Sequence, residues 1–473
     1  MHDKNNNKLH IISVALLYVM ILPVAGADPG IEITGVPTYG VDGFLSGTVS
    51  GVDPADYKVA PFIQIEGAGW WTKPNFAMPT VAIAPDGSFT ADVATGGLDN
   101  RATLYCVYLV AGSVTVPLAS GAVRVPASMD GLAVSSTCSE RYARTFGFSG
   151  FSWGVKEAPV PVGPGANRFS DRAGDIYVDS EGRLHLWLRF REGLWWSSEV
   201  ILMESHGFGT YSFTTESDLD GLDPNIVFGA FLWDAHGDEN SVLASASNRE
   251  IDSEDSRWSN PADPNGSQWA IAPYYPDGSV RRYALPDLGS PPLLSRSIGW
   301  SADKIEFTAL AGQHTPCEQV PADLIDSYVF QQNPVLDRYV PDAGRERFRF
   351  NLWLLDAGGP TDGQEVEVVV TDMTFYPSGD TDCDIVAQAS DNCTEVPNNT
   401  QTDSDSDMYG NACDADFNND GVVNGLDVGT FVTQFGTVGP DADFNEDGVV
   451  NGLDVGPFVN MFGQAPGPSG LVP

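Results

Sequence analysis

The chain has 473 residues and a formal net charge of −40, with 64 Asp and Glu against 24 Lys and Arg. That balance excludes nucleic acid as a partner and disfavours anionic surfaces. The length calls for several modules rather than one core, and six cysteines without a Cys–His cluster fit disulfides in an exported chain rather than zinc.

Residues 1–27 read as a signal peptide. Lys4 and Lys8 precede the apolar run Ile11–Val24, and Ala25-Gly-Ala27 offers a cleavage site. No other apolar run approaches membrane-spanning length. The expectation is a secreted, extracellular protein with no membrane span in its mature form. Residues 28–128 contain short alternating runs, Phe44–Ser50, Ala60–Glu66 and Ser88–Val93, separated by Gly and Asp-Gly turns. They predict an immunoglobulin-like β-sandwich acting as an accessory domain. The stretch Gly69-Trp-Trp-Thr-Lys-Pro74 reads equally as a sugar platform or as core plus turn.

Residues 141–377 continue in β alternation. Leu184, Leu186, Leu188 and Phe190 share one face, and Gln364–Val370 shows a similar pattern. Turns such as Asp179–Gly182 and Pro276–Gly278 separate the runs, and no long helical period intervenes, so the class is a sandwich or jelly roll. The segment Asn248–Trp258 places Glu250, Asp252 and Glu254 at every second position. In a strand all three carboxylates leave one face. They repel each other there, which a structural strand has no reason to keep. A glycosidase uses such a set, one carboxylate ionised and one protonated. At a strand's rise the outer two Cα atoms stand about 13 Å apart, whereas a retaining mechanism needs carboxyl tips about 5–5.5 Å apart. The strand must therefore bend with its acids on the concave side. The plain alternative is an acidic exposed face.

Around the acids stand Leu194–Val200, Gly207–Phe213, Leu222–Asp234, Ile298–Phe307 and Phe348–Leu354. In that order, with E-x-D-x-E between them, they resemble glycoside hydrolase family 16. These are retaining endo-glucanases and galactanases with a concanavalin A-like β jelly roll. The resemblance implies a β-linked polysaccharide substrate, no cofactor for catalysis, Glu250 as nucleophile, Glu254 as general acid/base and Asp252 as helper. It points to Trp195, Trp196, Trp233, Trp258, Asn351 and Trp353 for sugar binding, although each tryptophan is as readily sandwich core. The loops Ala235–Asn248 and Asn260–Gly266 are expected to set the subsites. Three departures stand out. The family prefers apolar residues where this chain has Ser253 and Asp255. The histidine that often precedes the tryptophan matched by Trp300 is replaced by Ser295–Gly299. Arg257, two residues on and on the same face, offers itself as a partner of Asp255; the alternative is that the strand ends at Glu254. These departures also suit a catalytically weak or inactive relative that binds glycan, displayed through the tail.

From Asp380 onward there is no Lys or Arg. The segment Asp391–Cys413 resembles a thrombospondin type 3 repeat, which implies a calcium-stiffened spacer over residues 381–413 with Asp403, Asp405 and Asp407 as ligands. Met408 takes the place of the usual glycine. Asp414–Gly436 and Asp441–Gly463 are near-copies that differ at four positions. Asp416, Asn418, Asp420, Asn424 and Asp427 fall at the ligand positions of a calcium loop, with the carbonyl of Val422 completing the shell. Asp443, Asn445, Asp447, Asn451, Asp454 and the carbonyl of Val449 repeat the set. Each loop leads into a short amphipathic run, with Val428, Phe431, Val432 and Phe435 on one face, and Val455, Phe458, Val459 and Phe462 on the other copy's face. The two faces are expected to bury each other. Residues 414–463 resemble a type I dockerin, a small α-helical calcium-binding domain, which implies docking on a cohesin-bearing scaffold or cell-surface protein. Residues 464–473 read as a flexible end.

Overall fold

The computed structural model describes residues 28–237, 248–275, 277–318 and 320–472. The signal-peptide expectation, most of the Ala235–Asn248 loop and Pro276 of the expected turn lie outside the described residues.

The N-terminal unit is a sandwich of two antiparallel sheets. The smaller holds Gly30–Gly35, Phe44–Ser50 and Ser88–Asp92. The larger runs in the order Ser120–Ala122, Gly69–Thr72, Tyr57–Ile65, Leu104–Ala111 and Ala133–Glu140, with Val81–Ala82 attached. Leu45 and Phe89 from one sheet meet Val59, Ile63, Tyr105, Val107 and Leu109 from the other. Because Ala133–Glu140 belongs to this sheet, the sandwich takes in residues beyond 128. The disulfide Cys106–Cys138 joins a directly opposed pair of neighbouring strands, whereas the antibody-domain bridge spans two sheets. Trp70 is fully buried and Trp71 is half-buried in the strand Gly69–Thr72, so this stretch is core and strand.

The central unit is two packed sheets. The inner sheet runs Thr145–Phe148, Phe151–Val155, Ser198–Leu202, Arg347–Leu354, Ile226–Trp233, Ile251–Asp255, Ser267–Ile271, Val280–Tyr283. The outer sheet runs Ile176–Val178, Leu184–Arg191, Val366–Pro377, Gly209–Glu216, Leu293–Trp300, Lys304–Ala311, Leu324–Gln331. Period-2 alternation sends Leu184, Leu186 and Leu188 inward against Phe228, Phe348, Phe350, Leu352 and Val368. Stacked and edge-on rings at Tyr211, Phe213, Phe348, Phe350 and Phe375 fill the centre. Truncating one of these rings to alanine costs about 3–5 kcal/mol. Phe190 shares the alternation but is 50% exposed, packed on Trp195 at 5.1 Å.

The tail holds two seven-residue helices, Val428–Gln434 and Val455–Met461. Phe431 stacks on Phe458 at 4.7 Å, and Ala415, Val423, Ala442, Phe444 and Val450 complete a small core. The expected stripe is only partly buried. Val428, Val432, Phe435, Val455, Val459 and Phe462 are exposed. A helix of barely two turns turns little of itself inward, and apolar residues of the loops fill the rest. Cys317–Cys383 fastens the start of the tail to the jelly roll, and Cys393–Cys413 closes the segment before the loops.

Candidate active site

The strand Ile251–Asp255 lies between Ile226–Trp233 and Ser267–Ile271. Ile251 joins the inter-sheet core, and alternation sends Ser253 and Asp255 the same way. Asp252 and Glu254 leave the opposite face. Glu250 stands just before the strand by hydrogen-bond pattern, yet its carbonyl accepts from the Ala272 amide at 3.1 Å, which extends the ladder by one residue. In register, Glu254 faces Gly229 and then Asn351, while Asp252 faces Phe231 and then Arg349. A Cβ on Gly229 would meet Asn351 Oδ1 at 2.5 Å. The bare glycine is what lets the asparagine amide lean toward the acids.

Each acid has a defined neighbour. The Tyr274 hydroxyl donates to Asp252 Oδ2 at 3.0 Å. Gln268 Nε2 donates to Glu254 Oε2 at 2.7 Å. Arg282 Nη1 donates to Gln268 Oε1 at 2.9 Å, which fixes the way the amide points. Burial pushes Glu250 up to about 7, with the Tyr274 hydrogen bond and Arg349 pulling the other way. Burial likewise pushes Glu254 up to about 7 against the pull of Gln268. Asp252 is raised well above the usual carboxylate range by burial and then by the charges of Glu250 and Glu254. Such a trio shares protons near neutral pH and loses them in steps that belong to the group. One ionised and one protonated carboxyl can coexist there.

Asp255 is fully buried, and its partner is not Arg257. Arg296 of the outer sheet grips it with two bonds of 2.6 Å, and the Ser267 hydroxyl adds a third at 2.6 Å. Arg257 instead pairs with Asp220 at 2.9 Å. Arg296 lies within Ser295–Gly299, the stretch that replaces the expected histidine. Two departures from the family pattern are therefore one feature, an ion pair between the sheets. Ser253 Oγ is buried without a partner.

The tryptophans divide. Trp233 ends its strand half-buried on the acid face, opposite Arg347. Trp258 and Trp353 meet edge to face at 6.3 Å. Trp258 has a φ of 49° and a buried Nε1 with no acceptor. Asn351 Oδ1 is also buried without a donor. Trp195 and Trp196 sit on Leu194–Trp196, which pairs with Leu184–Arg191 of the outer sheet, so they are not on the acid-bearing sheet. Trp300 is buried core, its Nε1 donating to the Pro341 carbonyl at 3.0 Å.

In the tail, Asp416 accepts from the amides of Asp420 at 3.2 Å and Gly421 at 2.6 Å, and Asp443 repeats this with Asp447 at 3.1 Å and Gly448 at 2.7 Å. Asp427 and Asp454 are fully buried. Asp427 Oδ1 has no partner. Asn418, Asp420 and Asn424, with Asn445, Asp447 and Asn451, complete two all-oxygen sets that suit a hard cation such as calcium. The carbonyls of Val422 and Val449 each accept an asparagine amide at 3.0 Å. Carboxylate oxygens of Asp403, Asp405 and Asp407 lie within 4.8 Å of one another, as do those of Asp380, Asp382 and Asp384.

The family described as Thrombospondin type 3 repeat matches residues 402–436, a span that takes in Asp403–Asp407 and the first duplicated loop. No curated protein matches the chain. Among solved structures, an immunostimulatory antigen and pseudo β-1,3-glucanase of Mycobacterium tuberculosis is similar at 16% identity over 48% of this chain and 91% of that one, with a TM-score of 0.35. A β-1,3-glucanase from Mycobacterium marinum is similar at 15% identity over 50% of this chain and 100% of that one, with a TM-score of 0.34. A Bacteroides ovatus mixed linkage glucan family 16 protein in complex with a product is similar at 13% identity, covering 47% of this chain and 94% of that one, with a TM-score of 0.33. Likeness at this level says nothing about the acids.

Sequence alone missed Tyr274, Gln268 and Arg282. Gln268 had a signal, since it is the polar residue alternating with buried Trp269 on a strand next to the acids. Tyr274 had none, because it lies beyond that strand's end. A cavity of about 460 Å³ lies between the two sandwiches and is lined by Trp70, Glu140, Asp234, His236, Arg249 and Arg347 among others. None of the three acids lines it.

Proposed function

We propose that the chain is a secreted retaining hydrolase of a β-linked polysaccharide, a glucan or galactan. The observation that carries this reading is the row Glu250–Asp252–Glu254 on one face of an inner-sheet strand, with donors from Tyr274 and Gln268 and burial that raises both glutamates to about 7. Glu250 attacks the anomeric carbon while Glu254 gives its proton to the leaving oxygen. Glu254 then takes a proton from water, whose oxygen displaces Glu250 and restores the starting configuration. Asp252, held protonated between the two, supplies a hydrogen bond to the nucleophile.

Glu250→Gln and Glu254→Gln should each lower turnover by about 10²–10⁴-fold on a panel of glucans and galactans. Azide should rescue Glu254→Ala through the glycosyl-enzyme and give a glycosyl azide of retained configuration, whereas any azide product of Glu250→Ala comes from direct displacement and has the inverted configuration. NMR of the first product should show the original anomer. Inversion would sink the double displacement, and binding without any release of sugar ends would leave a glycan-binding relative.

The tail, in the same proposal, binds calcium through its duplicated loops and docks a cohesin-bearing scaffold or cell-surface protein. Support comes from the all-oxygen sets and from the apolar residues Val432, Phe435, Val459 and Phe462 left exposed on both helices. A pull-down with the full chain, with calcium and with EDTA, tests it. A partner still captured after Asp416→Ala and Asp443→Ala would show that the loops do not organise recognition.

A further inference from the structure

The N-terminal sandwich rests on the acid-bearing face of the inner sheet. Arg349 Nη1 donates to Glu66 Oε2 of that sandwich at 2.8 Å and to Glu199 Oε1 at 3.0 Å. Lys156 completes the network on Glu199 at 2.8 Å. Arg349 is 3% exposed, Glu199 1% and Glu66 6%. Beside them Arg347 pairs with Glu140 of the sandwich at 2.6 Å. Both arginines sit on Arg347–Leu354, two strands from the acids. Two strand spacings are roughly 10 Å.

The two glutamates must flank one bond, so a glycan passes between their tips and runs across the strands. On the side of Ser267–Ile271 no other module among the described residues packs against the acids, and Tyr274 and Tyr275 stand 49% and 65% exposed. On the other side the glycan crosses Gly229 and Phe231 and meets the paired charges of Arg347, Arg349, Glu140 and Glu66. Charges buried in mutual pairs do not part readily, since separating one leaves the other desolvated. Beside Arg349 on the same strand, across Gly229 from Glu254, lies Asn351 with its unpartnered Oδ1.

We propose that the N-terminal sandwich closes one flank of the cleft, so that the site takes the end of a β-glycan chain and Asn351 accepts a hydroxyl of the terminal sugars. This replaces the mid-chain cutting that the family resemblance implies. It rests on the proposed function for its choice of ligand and not on turnover. Because the wall leaves little chain on one side of the acids, one short product leaves at each encounter.

The test uses the full chain and three probes: soluble β-1,3-glucan, mixed-linkage glucan and an agar-type galactan. Oligosaccharides of each are prepared free, blocked at the reducing end by an aromatic amine, or blocked at the other end by a benzylidene acetal. Binding is measured on Glu254→Gln. The expected result is that one of the two blocks weakens binding about tenfold or more, and that the wild type releases one short product from the outset while viscosity stays high. Mid-chain cleavage, or binding indifferent to both blocks, overturns the closed flank and leaves the hydrolase reading standing. End-sensitive binding without any cleavage supports the closed flank and sinks the hydrolase. Neither binding nor cleavage with any probe overturns both.

Discussion

Gln268 donates to the ionised form of Glu254, and Arg282 keeps it pointed that way. Removing the donor makes the carboxylate less favourable, so the pKa of Glu254 rises. Gln268→Leu should therefore move the basic limb of the kcat/KM profile to higher pH, by about 1 unit for a charge-assisted bond of ordinary strength. Arg282→Met should move it the same way, and an unmoved limb would show that Glu254 is not the group titrating there. The same acid carries a stability signature. Its folded pKa is raised from 4.5 to about 7, so the folded state binds the extra proton between those values. The stabilising contribution is complete below 4.5 and fades as pH rises through about 7. Glu254→Gln should match wild type in urea denaturation at pH 4 and exceed it at pH 8, by about 1–2 kcal/mol for a partly solvated group. Equal stability at both pH values would contradict the buried acid. The spacing of the three acids was legible because a period of two needs no tertiary knowledge. The partner of Asp255 was not, since Arg296 stands 41 residues away in the opposite sheet, while Arg257 was the near and misleading choice.

Among the elements, the pair Asp255–Arg296 bolts the acid strand to the sheet behind it. Asp255→Ala leaves Arg296, 2% exposed, without a counter-charge. That should cost about 3–5 kcal/mol. Asp255→Leu combined with Arg296→Met removes both charges and should recover most of the loss. A single variant with an unchanged urea midpoint would show that the pair holds nothing. The tail elements follow a different logic. Helices of seven residues are marginal alone, and here their first turns begin at Asp427 and Asp454, which are also proposed ligands. Calcium binding and helix formation are then one event. Far-ultraviolet circular dichroism should show helicity falling on EDTA and returning with calcium, and calorimetry should count at least two sites. Helicity indifferent to EDTA would separate the loops from the helices. The ligand spacing of these loops was readable because it is local and duplicated. The outward turn of Val432 and Val459 was not, because a helical wheel gives a face but not what covers it.

At the scale of the molecule, module order could be read along the chain, but the seating of the first sandwich on the second could not. Glu66 and Arg349 are 283 residues apart, and each reads as an ordinary polar residue of a strand. Their burial has a thermodynamic consequence. Opening the interface takes Glu66 from Arg349 and Glu140 from Arg347 and exposes Phe169, Ala158 and Val162, which pack on Ala68 and Leu98. The two sandwiches should therefore melt as a single cooperative unit. The tail touches that unit through Cys317–Cys383, a tether that holds position without sharing a core, and its own core is small. Scanning calorimetry of the full chain should show one large transition and one smaller one. EDTA should lower only the smaller, because every proposed calcium ligand lies from Asp403 onward. Glu66→Ala should lower the larger and split it, since the removed carboxylate leaves a buried guanidinium short of one partner at the interface. Two transitions from the sandwiches of the wild type, or a Glu66→Ala protein that melts as wild type does, would mean that the first sandwich docks loosely, and a loosely docked sandwich does not close the cleft.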